Sequence, residues 1–211
     1  MAKTLEELLK DMSLNLNGDV SIPDGDEYDL WVRALNLSQD DWAETDYNWP
    51  SLKITSYATL QQSGTSVALP VGFEKLDGFP MIGGTEYPEI RNEEVSLHEN
   101  DAYVITNFRT NSLSVHPAAE TTVQVAIPYF SSAISFTTLT DVSLCPSDNY
   151  LSNRATYRIL LQRSNPKYVE FQNSADSDML KMISKDASTL DQKNTSIKSK
   201  VVQGGFILGR D

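Results

Sequence analysis

Val67-Ala-Leu-Pro-Val-Gly-Phe-Glu-Lys-Leu-Asp-Gly-Phe79 is the stretch on which the reading of this chain turns. Its first residues suit a short strand. Pro70 breaks that strand, because proline fixes its own φ and has no N–H to give to a sheet ladder. Gly72 permits the positive φ of a tight turn, and Asp77-Gly78 marks a second turn. Phe73, Leu76 and Phe79 are spaced to plug a core beneath the turn. Taken alone, the stretch is a packed corner of a small β domain. Acidic sequence with helical periodicity precedes it, short strands follow it, and a pair of helical segments comes after those.

The 211 residues suffice for one good-sized domain or two small ones. With 40% hydrophobic and 22% charged residues, the composition is that of an ordinary globular chain. No run approaches the roughly 18–20 apolar residues of a membrane span. The first residues lack the apolar centre of a signal peptide, so a cytosolic chain with no membrane partner is expected. Cys145 is the single cysteine, which rules out an internal disulfide and a cysteine-based metal cluster. Between Leu144 and Pro146, at a helix entry, it reads as a small buried hydrophobe rather than a nucleophile.

The net charge of −12 argues against a general nucleic-acid binder, which needs a basic footprint. Residues 1–50 hold twelve acidic and three basic side chains, whereas residues 181–211 hold three acidic and six basic. These regions are either two solvated faces or two surfaces that meet across a subunit boundary. Composition does not separate the two.

In chain order, Thr4 caps a first helix whose apolar face is Leu5, Leu8, Leu9 and Met12. Residues 26–44 form a second helix, with Trp31, Leu35 and Trp42 near helical spacing and Asp24, Asp26, Glu27 and Asp29 around its positive end. Trp31 and Trp42 read as core. From residue 52 the period changes. Strands are expected at 52–59, 67–69, 81–82, 85–90, 103–108, 112–116 and 121–129, with Gly83-Gly84 making a hairpin turn. Residues 91–98 hold one helical turn. Helices follow at 148–163 and 167–185, joined by a very short loop around Asn165-Pro166. Residues 188–200 are polar, lack an apolar stripe and are expected to be extended. The apolar residues Val201, Val202, Phe206, Ile207 and Leu208 then form a candidate interface that docks on its own domain or on a neighbour by strand addition.

The fold class is therefore α+β. N-terminal helices (1–50) and a C-terminal helix hairpin (144–187) build a helical bundle around a small antiparallel β-barrel or sandwich (51–143), and an extended arm (188–211) ends the chain.

No catalytic motif is present. His98 and His116 have no carboxylate or cysteine at ligand spacing. Gly83-Gly84 and Gly204-Gly205 lack the lysine and the strand-to-helix setting of a phosphate loop. The acidic run from Asp24 to Asp29 does not follow the calcium-loop pattern and is better read as helix N-terminal acidity. No catalytic residue, metal or cofactor is assigned. Asp40 and Asp41 are the best carboxylate pair for a hydrolase, but neighbours on a helix do not face one site.

The order of these pieces resembles the head-to-tail connector (adaptor or neck) proteins of tailed bacteriophages. The similar stretches are residues 31–49, Leu69-Pro-Val-Gly-Phe73 with Leu76-Asp-Gly78, Tyr103-Val-Ile with Leu113-Ser-Val-His-Pro117, residues 123–129, and Leu144-Cys-Pro-Ser-Asp-Asn-Tyr150 leading into the last two helices. Together they span residues 27–187. The resemblance implies a structural virion protein without enzymatic activity, a homo-oligomeric ring commonly of twelve subunits. It implies docking beneath the portal protein and contact with tail or tail-adaptor proteins. Viral genomic DNA would pass through the lumen without sequence-specific binding. The implied place is the virion neck, after assembly in the host cytoplasm. The alternative is a monomeric carbohydrate- or protein-binding β module with Trp42, Tyr47 and Trp49 as an exposed platform.

Overall fold

The computed structural model describes residues 2–45, 47–98 and 101–203, without the side chains of 188–203. The chain divides into two compact units, residues 1–47 with 134–211, and Asn48–Ala133. The second is inserted into the sequence of the first.

The first unit is helical. Helix α1 (Leu5–Asn17) starts at Thr4, whose hydroxyl accepts the Glu7 N–H while the Glu7 carboxylate accepts the Thr4 N–H. This reciprocal box satisfies two donors that a helix start leaves unpaired. Two more go to a neighbouring loop: Leu5 N–H donates to the Asp141 carbonyl (2.8 Å) and Glu6 N–H to the Leu139 carbonyl (3.1 Å). Gly18, at φ 78°, closes the helix in the left-handed region that glycine enters without strain. Helix α2 (Gly25–Ala43) buries Trp31, Leu35 and Trp42 on one face. Helix α3 (Asp148–Gln162) is capped by the Ser147 hydroxyl and buries Tyr150, Leu151, Ala155 and Ile159. It packs against α1, α2 and helix α4 (Tyr168–Gln203).

Helix α4 corrects one expectation. Residues 188–203 are helical rather than an extended arm. No proline or glycine stands between Pro166 and Gly204, so nothing in the local chemistry stops the helix. The polar composition that suggested extension is equally that of a solvated helix.

The second unit is antiparallel. Strand β8 (Val123–Ser131) is its spine. It pairs over eight residues with β1 (Lys53–Leu60) on one side, and with β3 (Phe73–Leu76) and β4 (Met81–Ile82) on the other. Strand β5 (Thr85–Glu86) completes that sheet by pairing with β4 through Gly83 and Gly84, at φ 58° and 89°. The two positive φ values are what a two-residue hairpin turn requires. Strands β2 (Ser66–Ala68), β7 (Ser112–His116) and β6 (Tyr103–Asn107) form a second sheet. Leu60, Val67, Leu69, Val104, Leu113, Val125 and Ile127 fill one core.

Of the expected barrel or sandwich, the closed barrel does not form. After β1 the chain turns at residues 61–65, and β2 joins β7 instead of returning along β1. The opening stretch folds as two turns, with Gly72 at φ 74° and Gly78 at φ 96°. Phe73 and Leu76 pack on the core, but Phe79 is 55% exposed and is no plug. Asp77-Gly78 turns the chain before Phe79 can reach inward.

The boundary after the β unit also lies earlier than residue 143, because residues 134–143 associate with the helices. Asp141 organises this segment. Its carboxylate accepts the hydroxyl and N–H of Thr138 and of Thr137, and these bonds, Thr138's first, hold its pKa well below the ordinary carboxylate value of 3.8. A carboxylate with a depressed folded pKa contributes stability above its unfolded pKa and loses it as pH falls through the folded value. Acid unfolding below about pH 4 should therefore be shallower in Asp141→Asn than in the parent, measured by circular dichroism along a pH series. An unchanged acid limb would remove Asp141 from this role.

Candidate functional site

The most developed polar site lies where the chain returns from the β unit to the helices. Asn36 and Gln39 stand one turn apart on α2 and catch the backbone of residues 134–136. The Asn36 amide donates to the Phe136 carbonyl (3.2 Å) and accepts the Phe136 N–H (2.7 Å). Gln39, 1% exposed, donates to the Ile134 carbonyl (2.9 Å) and accepts the Ser143 hydroxyl (2.7 Å). The Ser143 oxygen accepts the Cys145 N–H (2.9 Å). Each buried group here has a partner, which such groups need to avoid a large desolvation cost. The chemistry is positional: the amides fix a backbone path and leave no reactive group free.

A second cluster joins α2, α3 and α4. Asp41 accepts Arg154 Nε (2.9 Å) and Arg158 Nη2 (2.5 Å), and Arg154 also faces Asp176 (3.7 Å). Burial pushes the Tyr150 phenol beside this cluster upward. Asp41 is thus occupied by two guanidiniums, while Asp40 is exposed, so the two carboxylates form no acid–base pair. Tyr47 donates to Asp186 of α4 (2.5 Å), a bond that raises the Tyr47 pKa.

The remaining candidates are structural or exposed. Cys145 is buried, and burial pushes its thiol up to about 12. A thiol of that acidity supplies almost no thiolate at neutral pH. His98 does have a carboxylate close by, Asp101 at 2.9 Å from Nδ1, which corrects the spacing argument. His116 stacks on Tyr103 at 4.8 Å between ring centroids. Among the described residues no group of three or more histidine, cysteine, aspartate or glutamate side chains is placed to hold a metal ion. Trp31, Trp42 and Trp49 are at most 1% exposed, so they present no platform to a sugar. The acidic residues Asp24, Asp26, Glu27 and Asp29 are exposed at the start of α2, where Glu27 pairs with Arg163 of α3. A groove of about 440 Å³ between α2 and α3 is lined by Leu30, Arg33, Leu37, Tyr157 and Leu161. Leu37 is 39% and Leu161 46% exposed.

Of the candidate interface residues, Val201 and Val202 lie on the last turn of α4, their side chains outside the described residues. Phe206, Ile207 and Leu208 lie outside the described residues altogether. Asn36 and Gln39 escaped sequence reasoning. Both sit among the polar positions of an amphipathic helix, and only the folded chain shows which backbone they meet. No helix among the described residues is long and apolar enough to cross a membrane. No family model matches the chain, and no curated protein is significantly similar to it.

Two outcomes follow from this geometry. Gln39→Leu should lower stability by about 1–3 kcal/mol, since it strands the Ile134 carbonyl and the Ser143 hydroxyl. Urea titration reads this directly, and a loss under about 0.5 kcal/mol, typical of a surface change, would contradict it. The Cys145 thiol should react with an aromatic disulfide reagent only as fast as the native protein opens. Rapid stoichiometric labelling under native conditions would contradict its burial.

Proposed function

We propose that this chain is a structural virion protein, a head-to-tail connector that assembles as a ring beneath the portal and joins capsid to tail. The observation that carries the proposal is the mismatch between α3 and α4. Helix α3 has 15 residues and α4 has 36. At 1.5 Å per residue, α4 outruns the helix it packs on by about 30 Å. Met182 is its last buried side chain among those described. Helical stability in proteins comes mainly from packing, and the sequence of residues 188–200 is polar, with no apolar stripe to pack on the chain's own helices. The helix is followed by Phe206-Ile207-Leu208, an apolar triplet at the end of a polar stretch. An overhanging helix with an apolar tip is what an assembling subunit needs, and it burdens a chain that works alone.

Charge supports the same reading. The inserted unit carries nine acidic and four basic residues, and the helical unit is also net negative. A passage for DNA should not grip phosphate, and acidic walls repel it. The resemblance of the residue order to that of connector proteins supports this specific reading. The alternative, a monomeric binding module, loses its tryptophan platform because those rings are buried.

Deleting residues 200–211 tests this reading. The truncated chain should keep its circular dichroism spectrum and its cooperative melt. Its assembly, or its co-sedimentation with the cognate portal, should fall at least about tenfold. Assembly equal to the full chain would defeat the idea that the end of α4 docks.

A further inference from the structure

Strand β1 leaves one side of its sheet open, and its backbone directions show which groups are available. Gly83 N–H donates to the Gln124 carbonyl (3.1 Å) and Asp77 N–H to the Pro128 carbonyl (2.9 Å). The even-numbered residues of β8 therefore point their backbone groups away from β1. In the register observed, Val125, Ile127 and Tyr129 bond to Ala58, Ser56 and Ile54. The backbone groups of Lys53, Thr55, Tyr57 and Thr59 must then point out of the sheet. The Lys53 N–H is taken by the Pro50 carbonyl. The groups of Thr55, Tyr57 and Thr59 have no hydrogen-bond partner among the described residues.

Open edges of this length are ordinarily protected by proline, a bulge, central charges or a covering segment. Strand β1 has none of these. Its pairing with β8 is unbroken over eight residues, and its one charge is Lys53 at the first position. Tyr57 is 65% exposed and Ile54 42% exposed. In a chain of net charge −12, the strand carries no carboxylate.

We propose that β1 pairs antiparallel with β1 of a second copy, about a twofold axis through Tyr57. The strand is complementary to itself in that register. Tyr57 faces Tyr57 of the second copy, and Thr55 faces Thr59. Aromatic and threonine cross-strand pairs of this kind are ones that stabilise sheets. Lys53 falls opposite Gln61, so no like charges meet. The three outward residues match as hydrogen-bonded pairs, giving about six N–H···O bonds. Centring the pairing on Ser56 instead would set Lys53 opposite Thr59 in two symmetry-related pairs, losing two bonds because the Lys53 N–H is already used, and would set Tyr57 against Thr55 rather than against Tyr57. With no carboxylate and only Lys53 charged, a second copy of β1 meets this edge without like charges opposite one another.

This pairing is separate from the ring. A twofold contact closes on itself, whereas a ring is built from head-to-tail contacts between different surfaces. The dimer belongs to the free chain and stands or falls by itself.

Sedimentation equilibrium of the full chain over a concentration series should show a monomer–dimer equilibrium. Tyr57→Lys places lysine opposite lysine and should weaken dimerisation at least about tenfold. Thr55→Lys should weaken it as well. Adding Thr59→Asp to Thr55→Lys should restore it, because each lysine then faces an aspartate of the other copy. All three positions are exposed, and circular dichroism checks that each variant folds. A parent chain that stays monomeric at every concentration overturns the proposal. So does a folded Tyr57→Lys chain with unchanged association, or a double variant that stays as weak as Thr55→Lys. A Tyr57→Lys chain that loses the dimer yet still joins the portal is the result expected of two separate contacts, so failure of the β1 pairing and failure of the connector reading are read independently.

Discussion

The fold depends on how the chain gets back from its insertion. A β unit of 86 residues, Asn48–Ala133, interrupts a helical unit, so α1 and α2 must recognise α3 and α4 across a long gap in sequence. Closing such a gap costs conformational entropy that grows slowly with its length. Two amide side chains fix the closure. Asn36 and Gln39 hold residues 134–136 by their backbone, and Ser143 passes the connection on to Cys145 at the entrance of α3. The chain between them lends its Leu139 and Asp141 carbonyls to the first turn of α1. One short segment thus caps α1, pairs with α2 and delivers α3. Apolar burial supplies the energy of the helical unit, and these directional bonds select which packing receives it.

Much of this was legible in the residues. Thr4, Gly18, Ser147 and Pro166 punctuate the helices where local chemistry says they should. Gly83-Gly84 makes its hairpin because two positive φ values are needed there. The tryptophans at helical spacing are core, as their periodicity indicates. What escaped was non-local. Whether an antiparallel set of strands closes depends on where β2 goes after β1, and five loop residues do not encode that choice. Phe79 reads as core by spacing, yet lies beyond a turn that carries it outward. Polarity suggested an extended segment at residues 188–200, when the absence of proline and glycine was the stronger signal. The Gln39 clamp was invisible because a buried amide and a solvated one look the same in sequence.

The same physics separates what the molecule keeps for itself from what it offers. Cysteine, tryptophans and the Asp41–Arg154–Arg158 cluster are buried or satisfied within the helical unit. The exposed features are of another kind: a helix much longer than its neighbour, a groove with half-exposed leucines, and an open strand edge.

The most direct test is the native mass of the purified full chain, alone and after mixing with its cognate portal. The account predicts a closed oligomer of many subunits with the portal, whether or not the free chain is already assembled. A chain that leaves the portal's mass unchanged at concentrations well above micromolar would contradict it.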